Sequence, residues 1–247
     1  MDLGLSARTA AVAASSAGLG LASAAALAAE GVTVAICGRD RGRIAEAAAR
    51  IGERAHPLVA DVSDAAGATR FIHAATEAIG PLDIVVTNGG GPPAGNFSTT
   101  ALEAYGPALE LSLLSVVAMC YAAVPAMRER GWGRIVAITS IAVRQPMAQL
   151  ILSNTARTGA TGFLKTLARE IARDGVTVNS LQPGLHTTDR VRQLYGASGA
   201  STAGIPAGVI GEPADFGAIV AFLCSEQARY VTGAHLQVDG GAYGGLL

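Results

Sequence analysis

Ser153 and Arg157 stand four residues apart, so on a helix they share a face, with a hydroxyl one turn before a cation. Ser140 lies thirteen residues upstream, just after the apolar run RIVAIT (134–139), and His186 and Tyr195 follow downstream. Hydroxyls beside a guanidinium suit a proton relay next to a fixed cation. Arg157 keeps its charge and stabilises an oxyanion, while Ser140 and Ser153 pass a proton through water. His186 titrates near neutrality, and Tyr195 carries a phenol with a pKa of about 10, so either offers an alternative acid. Each residue also has a plainer reading. Ser140 fits a strand-end turn, Ser153 with Asn154 a helix cap, Arg157 an ion pair, His186 a loop residue and Tyr195 a lid contact.

Far upstream, the segment AASSAGLG (13–20) joins a short apolar strand to an alanine-rich helix. Gly18 and Gly20 keep side chains out of the turn, and the helix start presents unpaired N–H groups to an anionic phosphate. Ser15, Ser16 and Leu19 belong to the same turn. The second strand ends at Cys37, Gly38, Arg39 and Asp40. Gly38 supplies no carboxylate for ribose hydroxyls, whereas Arg39 grips a 2′-phosphate through charge-assisted bonds. The expected coenzyme is therefore NADP(H) in preference to NAD(H), with an ordinary solvated Arg39 as the alternative.

GRIVAITS (133–140) followed by LSNTARTGATGF (152–163) resembles the catalytic region of the short-chain dehydrogenase/reductase family. Chain length and element order resemble its 3-oxoacyl-(acyl-carrier-protein) reductases. AASSAGLG resembles the family loop Thr-Gly-x-x-x-Gly-x-Gly, with Ala13-Ala14 replacing Thr-Gly; Ala14 fits there if its φ is negative. Asp61-Val62 matches the pair that brackets the adenine, and TNGG (87–90) keeps Asn88 and Gly90 of the motif Asn-Asn-Ala-Gly. Pro183-Gly184 with Thr188 resembles the segment beside the nicotinamide. YVTG (230–233) and VDGG (238–241) resemble the C-terminal signature.

In that family a serine polarises the carbonyl, a tyrosine donates the proton, a lysine lowers the tyrosine pKa and holds the ribose, and an asparagine positions a water relay. The resemblance assigns the serine role to Ser140. It places Ser153 at the tyrosine position, Arg157 at the lysine position and, counting back from Pro125, Ser112 at the asparagine position. It implies an oxidoreductase interconverting a ketone and a secondary alcohol with a non-standard proton donor. Arg144 and Gln145, just past the serine, are candidates for the substrate wall.

Strand and helix patterns alternate to the end of the chain. Strands are expected over 8–14, 32–37, 57–62, 83–88, 134–139, 176–184 and 234–238. Helices are expected to about Glu30, then over 41–50, 65–79, 101–129, 152–173 and 213–224. Such repeated crossovers predict a single α/β domain, residues 1–247, with a Rossmann-type doubly wound parallel sheet and helices on both faces. Residues 185–211, rich in Gly, Ser, Ala and Pro, read as a mobile segment covering the substrate.

A hydrophobic content of 50% against 15% charged residues suits a buried parallel sheet and subunit interfaces. The net charge of −1 argues against a nucleic-acid partner. Cys37, Cys120 and Cys224 lack metal-ligand spacing and fit free thiols in the cytoplasm. The apolar stretch 109–127 is interrupted by Glu110, Ser112, Ser115 and Pro125, which favours a helix buried on several sides over a membrane span. A homo-oligomer, as a tetramer, is expected to cover that helix. Two other readings stay open: an NADP(H)-binding protein with little redox activity or an isomerase or lyase reaction, and a dehalogenase-like enzyme. Arg157 suits the dehalogenase, but the retained Gly18 and Gly20 do not.

Overall fold

In the computed structural model the described residues are 2–195 and 201–246, with the backbone alone for Leu194 and Tyr195. The sheet grows outward from β1 (Thr9–Val12). On one side β1 pairs with β2 (Thr33–Gly38), which pairs with β3 (Ala55–Val59). On the other side follow β4 (Ile84–Thr87), β5 (Gly133–Ile138), β6 (Val176–Pro183) and β7 (His235–Val238). All these pairings are parallel, in the order β3-β2-β1-β4-β5-β6-β7. Strand order reverses between β1 and β4, which opens a crevice at their carboxyl ends.

Both faces of the sheet are covered, so its strands are apolar without alternation. Ala11 and Ala13 of β1 enter one core, while Ala10 and Val12 enter the other. The first core is closed by α3 (Ala65–Ile79), α5 (Ser115–Glu129) and α6 (Ile151–Ile171). The second is closed by α1 (Gly18–Ala29), α2 (Arg41–Ile51) and α8 (Pro213–Cys224). A Cβ on Gly217 would run into the carbonyl oxygen of Ala22, so glycine lets α8 approach α1 this closely. Asp40 and Asp64 start α2 and α3 by accepting from the backbone N–H groups of Arg43 and Gly67, at 2.8 and 2.6 Å.

Three stretches differ from the sequence expectation. The third strand is Ala55–Val59 rather than 57–62. Its register against β2 begins at Ala55, and the chain leaves the sheet before Asp61, which frees Asp61 and Val62 to turn toward the crevice. Pro57 is tolerated because β3 is an edge strand.

The single helix expected over 101–129 is instead a composite. A 3₁₀ turn (Leu102–Ala104) and α4 (Tyr105–Leu109) lead into a π-helical stretch, Glu110–Leu114, and then α5. The stretch carries Glu110, whose carboxylate accepts from the backbone N–H of Ala65 at 3.1 Å and serves the positive end of α3. Leu102–Glu129 is long and apolar enough to cross a membrane, and 44% of an 18-residue apolar window within it is buried, so burial on several sides does not hold within one chain. Leu102 and Tyr121 are largely exposed.

The segment 185–211 is not structureless throughout. It contains α7 (Asp189–Tyr195) and an isolated parallel bridge between His186 and Gly211; 196–200 lie outside the described residues.

Candidate functional site

Where strand order reverses, a cleft of about 790 Å3 runs across the carboxyl ends of the strands. One end is formed by the turn after β1. Ser16, Gly18 and Leu19 line it, with Gly18 at φ 58° and the first turn of α1 facing the cleft. The methyl group of Thr188 would lie 3.5 Å from a Cβ on Gly18, so the segment after β6 folds back over this turn. Gly18 and Gly20 divide two tasks. Gly20 does not line the cleft; a Cβ there would stand 2.6 Å from Asn88 Nδ2 and 2.8 Å from the Ala14 carbonyl oxygen. Its value is close packing of α1 on the sheet.

Ser15 also departs from the expected role. It is fully buried, its hydroxyl donates to the Val12 carbonyl at 2.7 Å and accepts from the Cys37 N–H at 3.1 Å. That side chain stitches β1 to β2 and leaves no group for a coenzyme. Ala14 adopts φ 45°, not the negative value the alanine was expected to need. The conformation is the one a glycine accepts without cost. The Ala14 N–H donates to Cys37 Sγ at 3.3 Å, and burial pushes the Cys37 thiol up to about 12, so it stays protonated.

Arg39 is exposed at the end of β2 and lines the cleft together with Asp61 and Val62. Asn88 and Gly90 form the floor beyond β4. Pro183 and Gly184 form the wall where β6 ends.

At the other end, Ser140, Ser153 and Arg157 come together on the cleft. Ser140 starts a 3₁₀ turn, accepting from the Ala142 N–H at 3.1 Å. Neither Ser153 nor Asn154 caps α6, which begins at Ile151; the Asn154 amide instead donates to the Met147 carbonyl at 2.9 Å. Ser153, largely buried, faces the cleft from the first turn. Arg157 donates through Nη1 to the carbonyl oxygens of Ile138 and Thr139, at 2.9 and 3.1 Å. No carboxylate pairs with it among the described residues, against the ion-pair reading. Burial, then the charge of Arg190, lowers its pKa to about 10, leaving it a cation at neutral pH.

Other expected residues fall elsewhere. Ser112 sits in the π-helical stretch, buried and with no hydrogen-bond partner for its hydroxyl among the described residues, while its neighbour Leu111 lines the cleft. Arg144 and Gln145 are exposed and do not line the cleft; Arg144 leans over the Tyr243 ring at 5.7 Å. His186 borders the cleft, but its ring packs edge-on against Phe216, centroids 5.3 Å apart, and its Nδ1 lies 3.3 Å from the Gly184 carbonyl oxygen. Burial lowers its pKa, so the imidazole is neutral and a weak candidate for an acid. The Tyr195 side chain lies outside the described residues.

Arg190, Met147 and Leu150 also line the cleft, and no motif in the sequence points to them. Nothing local marks Arg190; only its position two residues after Thr188 could have drawn notice. A Ser–His contact, Ser180 to His235 Nδ1 at 2.7 Å, joins β6 to β7, and neither residue lines the cleft.

The family profile described as enoyl-(acyl carrier protein) reductase matches residues 13–243. The chain belongs to the short-chain dehydrogenase/reductase superfamily. It is 30% identical over 242 residues to 3-oxoacyl-(acyl-carrier-protein) reductase FabG of Vibrio harveyi, covering 98% of this chain and 99% of that one. L-sorbose reductase from Gluconobacter frateurii, solved with NADPH and L-sorbose, superposes with a TM-score of 0.92 at 30% identity over the whole of both chains. An NADPH-bound short-chain oxidoreductase from Pseudomonas aeruginosa PAO1, described as containing an atypical catalytic center, gives a TM-score of 0.88 at 30% identity. That match covers 96% of this chain and 97% of the other.

Proposed function

We propose that this protein is an NADP(H)-dependent reductase that interconverts a ketone and a secondary alcohol in an active site without the family's tyrosine and lysine. The observation that carries the reading is the meeting of Ser140, Ser153 and Arg157 in the same cleft as Gly18 and Arg39. The cleft fits the coenzyme: a left-handed Gly18 opens the start of α1 to a pyrophosphate, and exposed Arg39 suits a 2′-phosphate. The NADPH found in the two structural relatives supports the choice. Bound there, NADPH supplies a hydride from C4 of its nicotinamide to the carbonyl carbon.

The residues account for the remaining half of the reaction. Ser140 donates a hydrogen bond to the carbonyl oxygen, Arg157 stabilises the charge that gathers there, and Ser153 relays a proton from water to the alkoxide. One ketone, one hydride and one proton give one alcohol. A serine is a far weaker acid than a phenol, so water is the proton source in this scheme. The relationship to acyl-thioester reductases makes 3-oxoacyl thioesters one of the ketones to test. A cytoplasmic homotetramer, with the exposed face around Tyr121 covered by a second copy, completes the proposal.

The test is NADPH consumption, followed by absorbance, on ketones that include 3-oxoacyl thioesters. The expected result is turnover that falls about a hundredfold or more in Ser153→Ala and Ser140→Ala, with NADPH affinity kept. Tight NADPH binding without turnover on any ketone would favour the coenzyme-binding alternative instead.

A further inference from the structure

Besides Arg39 at the end of β2, two guanidinium groups reach the same cleft, and they arrive from different elements. Arg157 rises from α6 and is fixed on the carbonyl oxygens of Ile138 and Thr139. Arg190 comes from α7, in the segment that covers the cleft, and donates through Nη2 to the Pro92 carbonyl at 2.8 Å. Its Nη2, Nε and Cζ lie 2.9, 3.1 and 3.2 Å from where a Cβ on Gly91 would stand. Nη2 and Nε lie nearer than Cζ, so the Nε–Nη2 edge of the guanidinium rests against Gly91, where the missing side chain leaves it room. Arg190 is close enough to Arg157 to lower its pKa.

Neither arginine forms an ion pair among the described residues. The acid beside Arg190 in sequence, Asp189, is already engaged by Arg192 at 2.9 Å. Asp61, the other acid on the cleft, stands beyond the end of β3, at the far edge of the sheet from β5 and α6. Two cations held near one another without an anion raise the energy of the empty cleft, and a negative ligand group removes that cost. The coenzyme's pyrophosphate belongs at the start of α1, below Thr188, whereas Arg190 lies over the loop that follows β4.

We infer that the substrate is an oxo acid, with a carboxylate received by Arg190 while Arg157 faces the reacting carbonyl oxygen. Nη2 keeps a second N–H beside those of Nη1, so the Nη1–Nη2 end of Arg190 remains to form the paired hydrogen bonds that a carboxylate takes from a guanidinium. Arg190 is thus a specificity-determining residue. This inference rests on the reductase reading for the identity of the reacting group, but the anion site can be measured without turnover.

The experiment compares 2-oxobutanoate and 3-oxobutanoate with their methyl esters, using the full chain, Arg190→Gln and Arg190→Lys. Binding to the NADP+-loaded protein is followed by calorimetry and NADPH consumption by absorbance, with thermal melting as a check on folding. At least one acid should bind and react about tenfold or more better than its ester, and Arg190→Gln should remove that advantage, with a far larger loss for the acid than for the ester or NADPH. Arg190→Lys should retain part of it, since the charge survives and the fork does not. Equal binding of acid and ester, or an Arg190→Gln variant that loses NADPH affinity and not acid preference, overturns the inference and assigns Arg190 to the coenzyme. Arg190-dependent acid binding with no turnover keeps the anion site and sinks the reductase reading.

Discussion

Asn88 donates through Nδ2 to the carbonyl oxygens of Ala13 and Ala14, at 3.2 and 3.1 Å, tying the end of β4 to the turn after β1. Both ends of this link border the cleft. The link fixes the backbone of a residue held at φ 45°, where an L side chain is strained. Folding therefore retains a local cost at the turn after β1, and the Asn88 amide is one of the groups that enforces it.

Replacing Ala14 by glycine should relieve that cost. Ala14→Gly is expected to raise stability by about 1 kcal/mol, the usual penalty of a left-handed alanine. Urea denaturation with an unchanged slope is the measurement. A variant less stable than the parent would show that the turn is unstrained and that glycine only adds disorder to the unfolded chain.

Arg157 should matter to the fold as well as the site, because it holds two backbone carbonyls at the end of β5. Arg157→Ala is expected to cost about 1–3 kcal/mol of stability and most of the turnover. Arg157→Lys should recover stability only in part, since one ammonium cannot copy the planar fork. Denaturation and single-turnover kinetics separate the two effects. Full stability in Arg157→Ala would reduce its carbonyl contacts to incidental ones.

Arg39 is predicted to choose the coenzyme. Arg39→Glu should shift the NADPH-to-NADH preference in kcat/KM by about ten- to a hundredfold toward NADH. Because Arg39 is exposed, the melting temperature should hardly move. An unaltered preference would reassign the 2′-phosphate to other groups.

Stability should fall on mild acidification. Burial lowers the pKa of His186 below the ordinary histidine value, and burial followed by Lys165 and Arg144 does the same to His235. A lowered pKa means that the unfolded chain binds protons before the folded one. The contribution is complete above the unfolded histidine value of about 6.5 and is lost as the pH falls through the lower folded value. Denaturation at about pH 7.5 and about pH 5 should show the loss, and His186→Gln should lessen it. An identical pH dependence in His186→Gln would exclude a contribution from that imidazole.

Periodicity and turn chemistry, which are local, made the alternation of strands and helices legible and placed α3 and α8 at the bounds the sequence predicted. Turn chemistry marked Gly18 and Arg39, and the family resemblance marked Ser140, Ser153 and Arg157; the strand ends of a doubly wound sheet deliver all of them to one crevice. Side-chain direction was beyond that reach. Whether Ser15 faces a coenzyme or stitches two strands depends on β2 lying beside β1, a contact between residues far apart in the chain. Arg144 and Arg190 look alike as exposed loop arginines in sequence, yet one leans on Tyr243 and the other lies over Gly91. The chain by itself set which elements form and in what order, because hydrogen bonding along the backbone and burial of apolar stripes are decided within a dozen residues. The tertiary structure alone decided which polar groups meet, because that depends on how separate elements pack once every one of them is in place.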